Sequence, residues 1–164
     1  MIEIGCGDAF GSIIIANELD EYIGIDIEKF VIDDNIDRLK QYSNMSFDCW
    51  DIIKSPYTKK TRSALCLDVI EHIPYESEDD FINNIKESTN GGPVLIGTPN
   101  ITADQYASKY SKHSHINLKS GDTLRQGLEK YYKDIFIFSM NDEVVHTGFL
   151  PMAHYIFALA CNPY

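Results

Sequence analysis

Met1-Ile2-Glu3-Ile4-Gly5-Cys6-Gly7-Asp8-Ala9-Phe10-Gly11 runs from an apolar segment of strand length straight into a glycine turn. Ile13, Ile14, Ile15 and Leu19 follow and predict the buried side of a first helix. At a strand-to-helix junction, glycines let the backbone turn tightly and bring main-chain N–H groups close to a ligand at the helix N-terminus. Glycine also serves such turns for purely steric reasons, so the meaning of the turn depends on what accompanies it. Asp26 does so: it ends a second strand-like run, Tyr22 to Ile27, about twenty residues on, where a carboxylate can take both hydroxyls of a ribose.

Further along, apolar runs of strand length alternate with segments of helical period, the pattern of a parallel sheet covered by helices on both faces. Ile32, Ile36 and Leu39 predict a second helix, and a short third strand is expected around Met45 to Phe47. Ala64 to Ile70 reads as a fourth strand buried on both sides, and Phe81, Ile82 and Ile85 mark the next helix. Gly91-Gly92-Pro93 breaks it, Val94 to Ile96 is a fifth strand, and Ser120 caps a helix carrying Leu124, Leu128 and Tyr131. Two last strands, Ile135 to Met140 and His154 to Cys161, are joined by a segment too short for a crossover helix and must run antiparallel. The expectation is an α/β, Rossmann-like, doubly wound sheet of seven strands, mostly parallel, with a C-terminal antiparallel pair. It spans residues 1–164 as one domain, without repeat or linker.

The formal net charge of -11 opposes phosphate backbones, so no extended nucleic acid is expected as a partner. Lys54, Lys59, Lys60 and Arg62 form the one basic cluster and read as a solvated loop. No apolar run approaches the roughly 18 residues of a membrane span, and no basic-then-apolar leader begins at Met1. Cys6, Cys49, Cys66 and Cys161 form no C-x-x-C pair and read as reduced core thiols. A cytoplasmic chain is expected.

Asp51, in Phe47-Asp48-Cys49-Trp50-Asp51-Ile52, follows the third strand and can accept a hydrogen bond from an adenine amino group, although an acidic surface turn accounts for it equally well. Glu3 to Gly11, Tyr22 to Ile27, Asp48 to Ile52 and Leu67-Asp68-Val69-Ile70-Glu71-His72-Ile73-Pro74 together resemble the successive motifs of class I S-adenosylmethionine-dependent methyltransferases. The resemblance extends over nearly the whole chain. Glu-Ile-Gly-Cys-Gly and the Leu67 to Pro74 run look most like the small-molecule branch, which includes the ubiquinone-pathway O-methyltransferases. It implies that Glu3, Gly5 and Gly7 cradle the methionine part of S-adenosylmethionine, Asp26 and Ile27 the ribose, and Asp51 and Ile52 the adenine. Leu67 and Asp68 would face the sulfonium. Two departures stand out: Ala9 replaces the third glycine of the family pattern, and the helices that normally precede the first strand are missing. The exposed side they would leave motivates the expectation of a homodimer.

Methyl transfer needs an acceptor beyond the carboxyl ends of the strands, so the loops after strands four and five are the places to look. Both carry histidine: His72 beside Glu71, and His113 and His115 in Tyr110 to Lys119. His72 and His115 are the candidate catalytic residues, His72 the favoured general base, with a small-molecule acceptor as partner. Packing at a helix start for His72, and a surface loop for the other two, are the plain readings. Asp68-x-x-Glu71-His72 with a later histidine also has the ligand types of a divalent metal site, similar to some metal-dependent O-methyltransferases. An Asp and Glu at a strand end serve S-adenosylmethionine equally well, and no metal is expected.

His146 to Tyr155 can wall the acceptor pocket or simply join two strands. Two rival classes differ in what they require. A nicotinamide oxidoreductase would want G-x-G-x-x-G, where this chain has G-x-G-x-x-x-G, and Y-x-x-x-K, which Tyr106-Ala-Ser-Lys109 misses by one residue. A non-catalytic domain would bind the cofactor and transfer nothing.

Overall fold

A computed structural model describes the chain from Met1 to Tyr164. Eight strands form one sheet in the order β3-β2-β1-β4-β5-β8-β6-β7. The strands are β1 (Ile2–Ile4), β2 (Tyr22–Asp26), β3 (Met45–Cys49), β4 (Ala64–Leu67), β5 (Val94–Pro99), β6 (Tyr132–Asn141), β7 (Val144–His146) and β8 (Tyr155–Pro163). The first five are mutually parallel, with Ile2 opposite Ile23 and Ala64, and Leu67 opposite Gly97. β8 runs antiparallel to both β5 and β6 and so closes the sheet with the expected antiparallel pair. Order reverses between β1 and β4, the crevice in which doubly wound sheets bind ligands.

The sheet has eight strands instead of seven. The added one, β7, forms a hairpin with β6 in which Asn141 faces Val144, and the turn is closed by Asp142 at φ 52. Aspartate tolerates that left-handed conformation, so the hairpin forms without the glycine that usually announces one.

Helices α1 (Ser12–Ala16), α2 (Lys29–Arg38), α3 (Glu78–Ser88), α4 (Lys109–Ser114) and α5 (Gly121–Glu129) cover the faces. Phe81, Ile82 and Ile85 of α3 and Leu124 and Leu128 of α5 are buried against Ile2, Ile4, Ile96 and Ile156 in one core. Ser120 caps α5 with Thr123 returning to its backbone, a reciprocal box that satisfies two orphan groups. The first helix departs from its periodicity. It is five residues long, buries Ser12 and Ala16, and leaves Ile14 exposed. Ile36 of α2 is likewise exposed, while Ile32 and Leu39 are buried. Residues 109–114, read as loop, form α4, whose cap is the Ser108 side chain accepting from the Ser111 N–H. The four basic residues disperse: Lys54 pairs with Asp51 and Lys59 with Glu21.

The core-thiol expectation holds for two cysteines of four. Cys6 and Cys66 are buried, but Cys49 is exposed because β3 is an edge strand, and Cys161 is half-buried. Burial, reinforced by the carboxylates of Asp26 and Glu3, pushes the Cys6 thiol up to about 12. The thiolate is the nucleophile, so iodoacetamide near about pH 8 is expected to label Cys49 first, and Cys6 and Cys66 only after denaturation. Peptide mass spectrometry reads the order, and equal labelling of Cys6 and Cys49 would contradict it.

Candidate active site

Where β1 ends, Gly5 and Gly7 adopt φ 68 and φ 50, which glycine enters without a Cβ penalty. Gly5 is also confined by space: a Cβ there would lie 2.4 Å from Cγ2 of Val69, in the segment after β4. The glycine turn can therefore pack against that segment only because a side chain is absent. Ala9, standing where the family pattern has a third glycine, still takes φ 52. The conformation is thus retained by a residue that pays a steric penalty for it.

Several groups fix the turn. The carbonyl of Ile25 accepts from both Gly5 N–H (2.8 Å) and Cys6 N–H (3.0 Å). From α2, the buried Asn35 donates to the Gly7 carbonyl at 2.7 Å. Asp26 accepts from Gly7 N–H at 3.0 Å through Oδ2, and from Glu28 N–H at 2.9 Å through Oδ1. A carboxylate has about four lone-pair sites, so each oxygen keeps one for a ligand.

A cavity of ≈ 450 Å³ opens above these strand ends. It is lined by Gly5, Gly7, Asp26, Ile27, Asp51, Ile52, Asp68 and His72 together with Ile4, Ile25, Trp50, Ile53, Val69 and Ile73. Its size and its mix of apolar walls with a few convergent polar groups are those of a cofactor pocket. Trp50 is the only tryptophan, and the sequence reading passed over it. Its Nε1–H is tied to the Ser55 carbonyl at 3.0 Å and its ring packs edge-on to Tyr57, so it forms a fixed wall. Asp51 accepts from the Lys54 ammonium at 2.9 Å, which holds its carboxyl below the usual range, and from Ile53 N–H at 3.1 Å.

Of the cofactor residues named from the sequence, Glu3 and Leu67 do not line the cavity. The buried Glu3 carboxylate faces inward and accepts from Ser12 Oγ at 2.6 Å and from Tyr22 Oη. Strand alternation explains this, since Ile2 and Ile4 share one face of β1 and Glu3 has the other.

Beyond β4 the backbone turns through the left-handed region at Asp68, a non-glycine residue at φ 54. Such outliers cluster at functional sites. A short 3-10 turn, Ile70–His72, follows. The Glu71 carbonyl accepts from Ile116 N–H (2.9 Å) and Asn117 N–H (3.0 Å), which docks the segment after α4 onto this turn. That docking brings His115 edge-on to His72, ring centroids 5.1 Å apart. His72 Nδ1 lies 3.0 Å from the Ser114 carbonyl. A carbonyl only accepts, so Nδ1 is the donor and Nε2 is the nitrogen left for a ligand. Burial, and then the neighbouring His72, hold the His115 imidazole below its ordinary value. Glu71 is fully buried; Thr98 Oγ1 donates to its Oε2 at 2.9 Å, and burial raises its carboxyl. His113, the third candidate, is exposed and stands outside this group.

Next to the first cavity lies a second of ≈ 410 Å³, lined by Pro99, Asn100, Ala103, Asp104, Tyr106, Ala107, Ser111, His115, Leu118 and His154. His72 belongs to the first cavity and His115 to the second, so the histidine pair marks their junction. Asn100 fixes the C-terminal segment by donating to the carbonyls of Leu150 (2.8 Å) and Ala153 (3.0 Å), and that segment supplies His154 to the wall.

A family model described as "Methyltransferase domain" matches residues 1–140 of this architecture. The chain belongs to that methyltransferase family. Solved structures share the fold at low identity. The N-methyltransferase NodS from Bradyrhizobium japonicum WM9, in complex with S-adenosyl-L-homocysteine, superposes with a TM-score of 0.74 at 16% identity, covering 99% of this chain and 77% of that one. The magnesium protoporphyrin IX methyltransferase ChlM from Synechocystis PCC 6803, with bound S-adenosylhomocysteine, gives 0.72 at 17%, covering 97% and 73%. The small RNA methyltransferase HEN1 gives 0.74 at 16%, covering 98% of this chain and 23% of that one. Their acceptors differ, so the shared fold leaves the acceptor open. No curated protein matches the sequence. No helix is long and apolar enough to cross a membrane.

Proposed function

We propose that this chain transfers a methyl group from S-adenosylmethionine to an oxygen, in preference to a nitrogen, of a small metabolite or sugar-like acceptor. The observation that carries the cofactor reading is the convergence of the Gly5–Gly7 turn, Asp26 and Asp51 on one cavity at the sheet's switch point. The residues suit the cofactor: both Asp26 oxygens retain a lone pair for ribose hydroxyls, and the space at Gly5 would be closed by any Cβ. Ile27, Trp50 and Ile52 supply apolar walls for adenine, Asp51 an acceptor for its amino group, and Asp68 a carboxylate toward the cationic end. When bound, S-adenosylmethionine supplies a methyl group activated on a sulfonium.

The chain itself must then hold the acceptor in line with that methyl group and assist loss of the acceptor proton. Positioning alone is worth about 7–11 kcal/mol. An acceptor in the second cavity would stand against His115 and, across the histidine pair, near His72. Two imidazoles side by side are of use to a hydroxyl, whose proton must be lost; an amine that is already neutral needs no such help. This favours oxygen. The net charge of -11 favours a small acceptor over a long phosphate backbone.

Calorimetric titration with S-adenosylhomocysteine is expected to show one micromolar site and to change the emission of Trp50, while NADH gives neither signal. Binding of NADH instead, or of neither ligand, would overturn the cofactor reading. With labelled S-adenosylmethionine and a panel of hydroxyl-bearing metabolites, His72→Ala is expected to cut transfer by about a hundredfold or more. Full transfer by that variant would remove His72 from the mechanism.

A further inference from the structure

Tyr155, the first residue of β8, lines neither cavity, yet its ring reaches the cofactor side of the site by crossing a strand. It stands opposite Pro99 on β5, and Gly97, two residues earlier on that strand, shares its face with Leu67 alongside. A Cβ at Gly97 would lie 2.8 Å from both Oη and Cε1 of Tyr155 and 2.7 Å from Cδ2 of Leu67. The missing side chain is therefore the gap through which the tyrosine ring lies across β5 toward the end of β4. Phe157 backs it on the same face, ring centroids 5.0 Å apart. Across the gap the Asp68 N–H donates to the Gly97 carbonyl at 3.1 Å, so one glycine fixes both the backbone of Asp68 and the end of the tyrosine. The Asp68 carboxylate stands within hydrogen-bonding reach of the phenol; burial first, and then this carboxylate, push the phenol well above its ordinary range. The phenol is thus protonated near pH 7, and since a carboxylate accepts, the hydroxyl is the donor.

We infer that Tyr155 is a positioning residue for methyl transfer: lying across Gly97, its hydroxyl holds the Asp68 carboxylate toward the sulfonium of S-adenosylmethionine. This rests on the methyltransferase reading, in which Asp68 lines the cofactor cavity. Asp68 sits on a left-handed bend between β4 and the 3-10 turn, and its side chain keeps one direction there only if a neighbour fixes it. The direction matters because the two forms of the cofactor differ at the sulfur, positive before transfer and neutral after it. A carboxylate held toward that atom favours S-adenosylmethionine over S-adenosylhomocysteine. The attraction ends when the methyl group leaves, which promotes exchange of product for fresh cofactor.

Calorimetric titration of the full chain with both ligands, on the parent, Tyr155→Phe, Asp68→Asn and the double variant, tests the inference. Phenylalanine keeps the ring in the gap and removes the hydroxyl alone. Asparagine removes the charge and enters the left-handed region as aspartate does. Tyr155→Phe is expected to weaken S-adenosylmethionine by about 3- to 10-fold, the worth of one hydrogen bond, and S-adenosylhomocysteine by less than about twofold. In the Asp68→Asn background the same substitution should change neither affinity, because the hydroxyl acts through that carboxylate. A packing role alone would move both ligands together. Equal loss of the two, loss of neither, or an undiminished effect in Asp68→Asn would overturn the inference while parental binding left the methyltransferase reading standing. A parent chain that bound neither ligand would remove the proposed function and this inference with it.

Discussion

Alanine at Glu78 is expected to lower the free energy of unfolding by about 3–5 kcal/mol. Glu78 is the first residue of α3, and its carboxylate accepts from Asn117 Nδ2 at 2.7 Å and pairs with Lys119. The two charged side chains retain only 11% and 5% of their exposure, so truncating the glutamate leaves the Lys119 ammonium buried beside no counter-charge. That orphaned charge, and not the mere loss of an attraction, gives the size of the effect, because desolvation of the lysine is no longer offset. Against the 5–15 kcal/mol typical of a folded domain the loss is a large fraction. Urea denaturation measures it. Replacing both partners by apolar residues, Glu78→Leu with Lys119→Met, should recover most of the loss, since neither charge then remains to be desolvated. A loss below about 1 kcal/mol in the single variant would mean that water reaches Lys119 and that the pair is a surface bridge.

The same pair has a second consequence, because Asn117 and Lys119 belong to the segment that carries His115. The Ile116 and Asn117 N–H groups hang on the Glu71 carbonyl, while the Asn117 side chain is held by Glu78. These anchors are what bring His115 beside Glu71 and His72, about forty residues before it in sequence. This is also where the sequence was least informative. His72 and His115 can be named from their places after strands four and five, yet nothing local states that the backbone of one loop will hydrogen-bond to the other. No metal was expected from Asp68-x-x-Glu71-His72, since an Asp and Glu at a strand end serve S-adenosylmethionine equally well.

The residues that line the first cavity were legible for the opposite reason. A glycine turn, an acidic residue at the next strand end and a second one after the third are each encoded within a few residues, and parallel strand order alone sets them side by side. Where that half of the reading failed, a single local force had been overridden. Glu3 was assigned to the ligand by pattern, but strand alternation turns its side chain to Ser12 and Tyr22. The apolar run Ile13 to Ile15 predicted a buried helix face, yet α1 ends after five residues and leaves Ile14 exposed. The eighth strand escaped notice because its turn uses Asp142 in a conformation usually flagged by glycine.

Asp26 joins the legible half of the site to its chemistry, and Asp26→Ala is expected to weaken S-adenosylhomocysteine by about 10- to 150-fold. That range follows from one charged hydrogen bond at about 1.5–3 kcal/mol. The structure adds a second loss, because the same carboxylate receives the Gly7 and Glu28 N–H groups and so fixes the glycine turn against the end of β2. A purely structural role and a ligand role predict different outcomes for asparagine. Asp26→Asn keeps one acceptor oxygen and nearly the same shape, so it should preserve much of the turn and restore most of any stability lost in the alanine variant. It supplies one acceptor in place of two and carries no charge, so affinity should recover only in part. Calorimetry and denaturation on the two variants therefore separate the roles. Equal recovery of stability and affinity in Asp26→Asn would make Asp26 a positioning residue for the turn. S-adenosylhomocysteine affinity within about threefold of the parent in Asp26→Ala would remove it from the ribose site altogether.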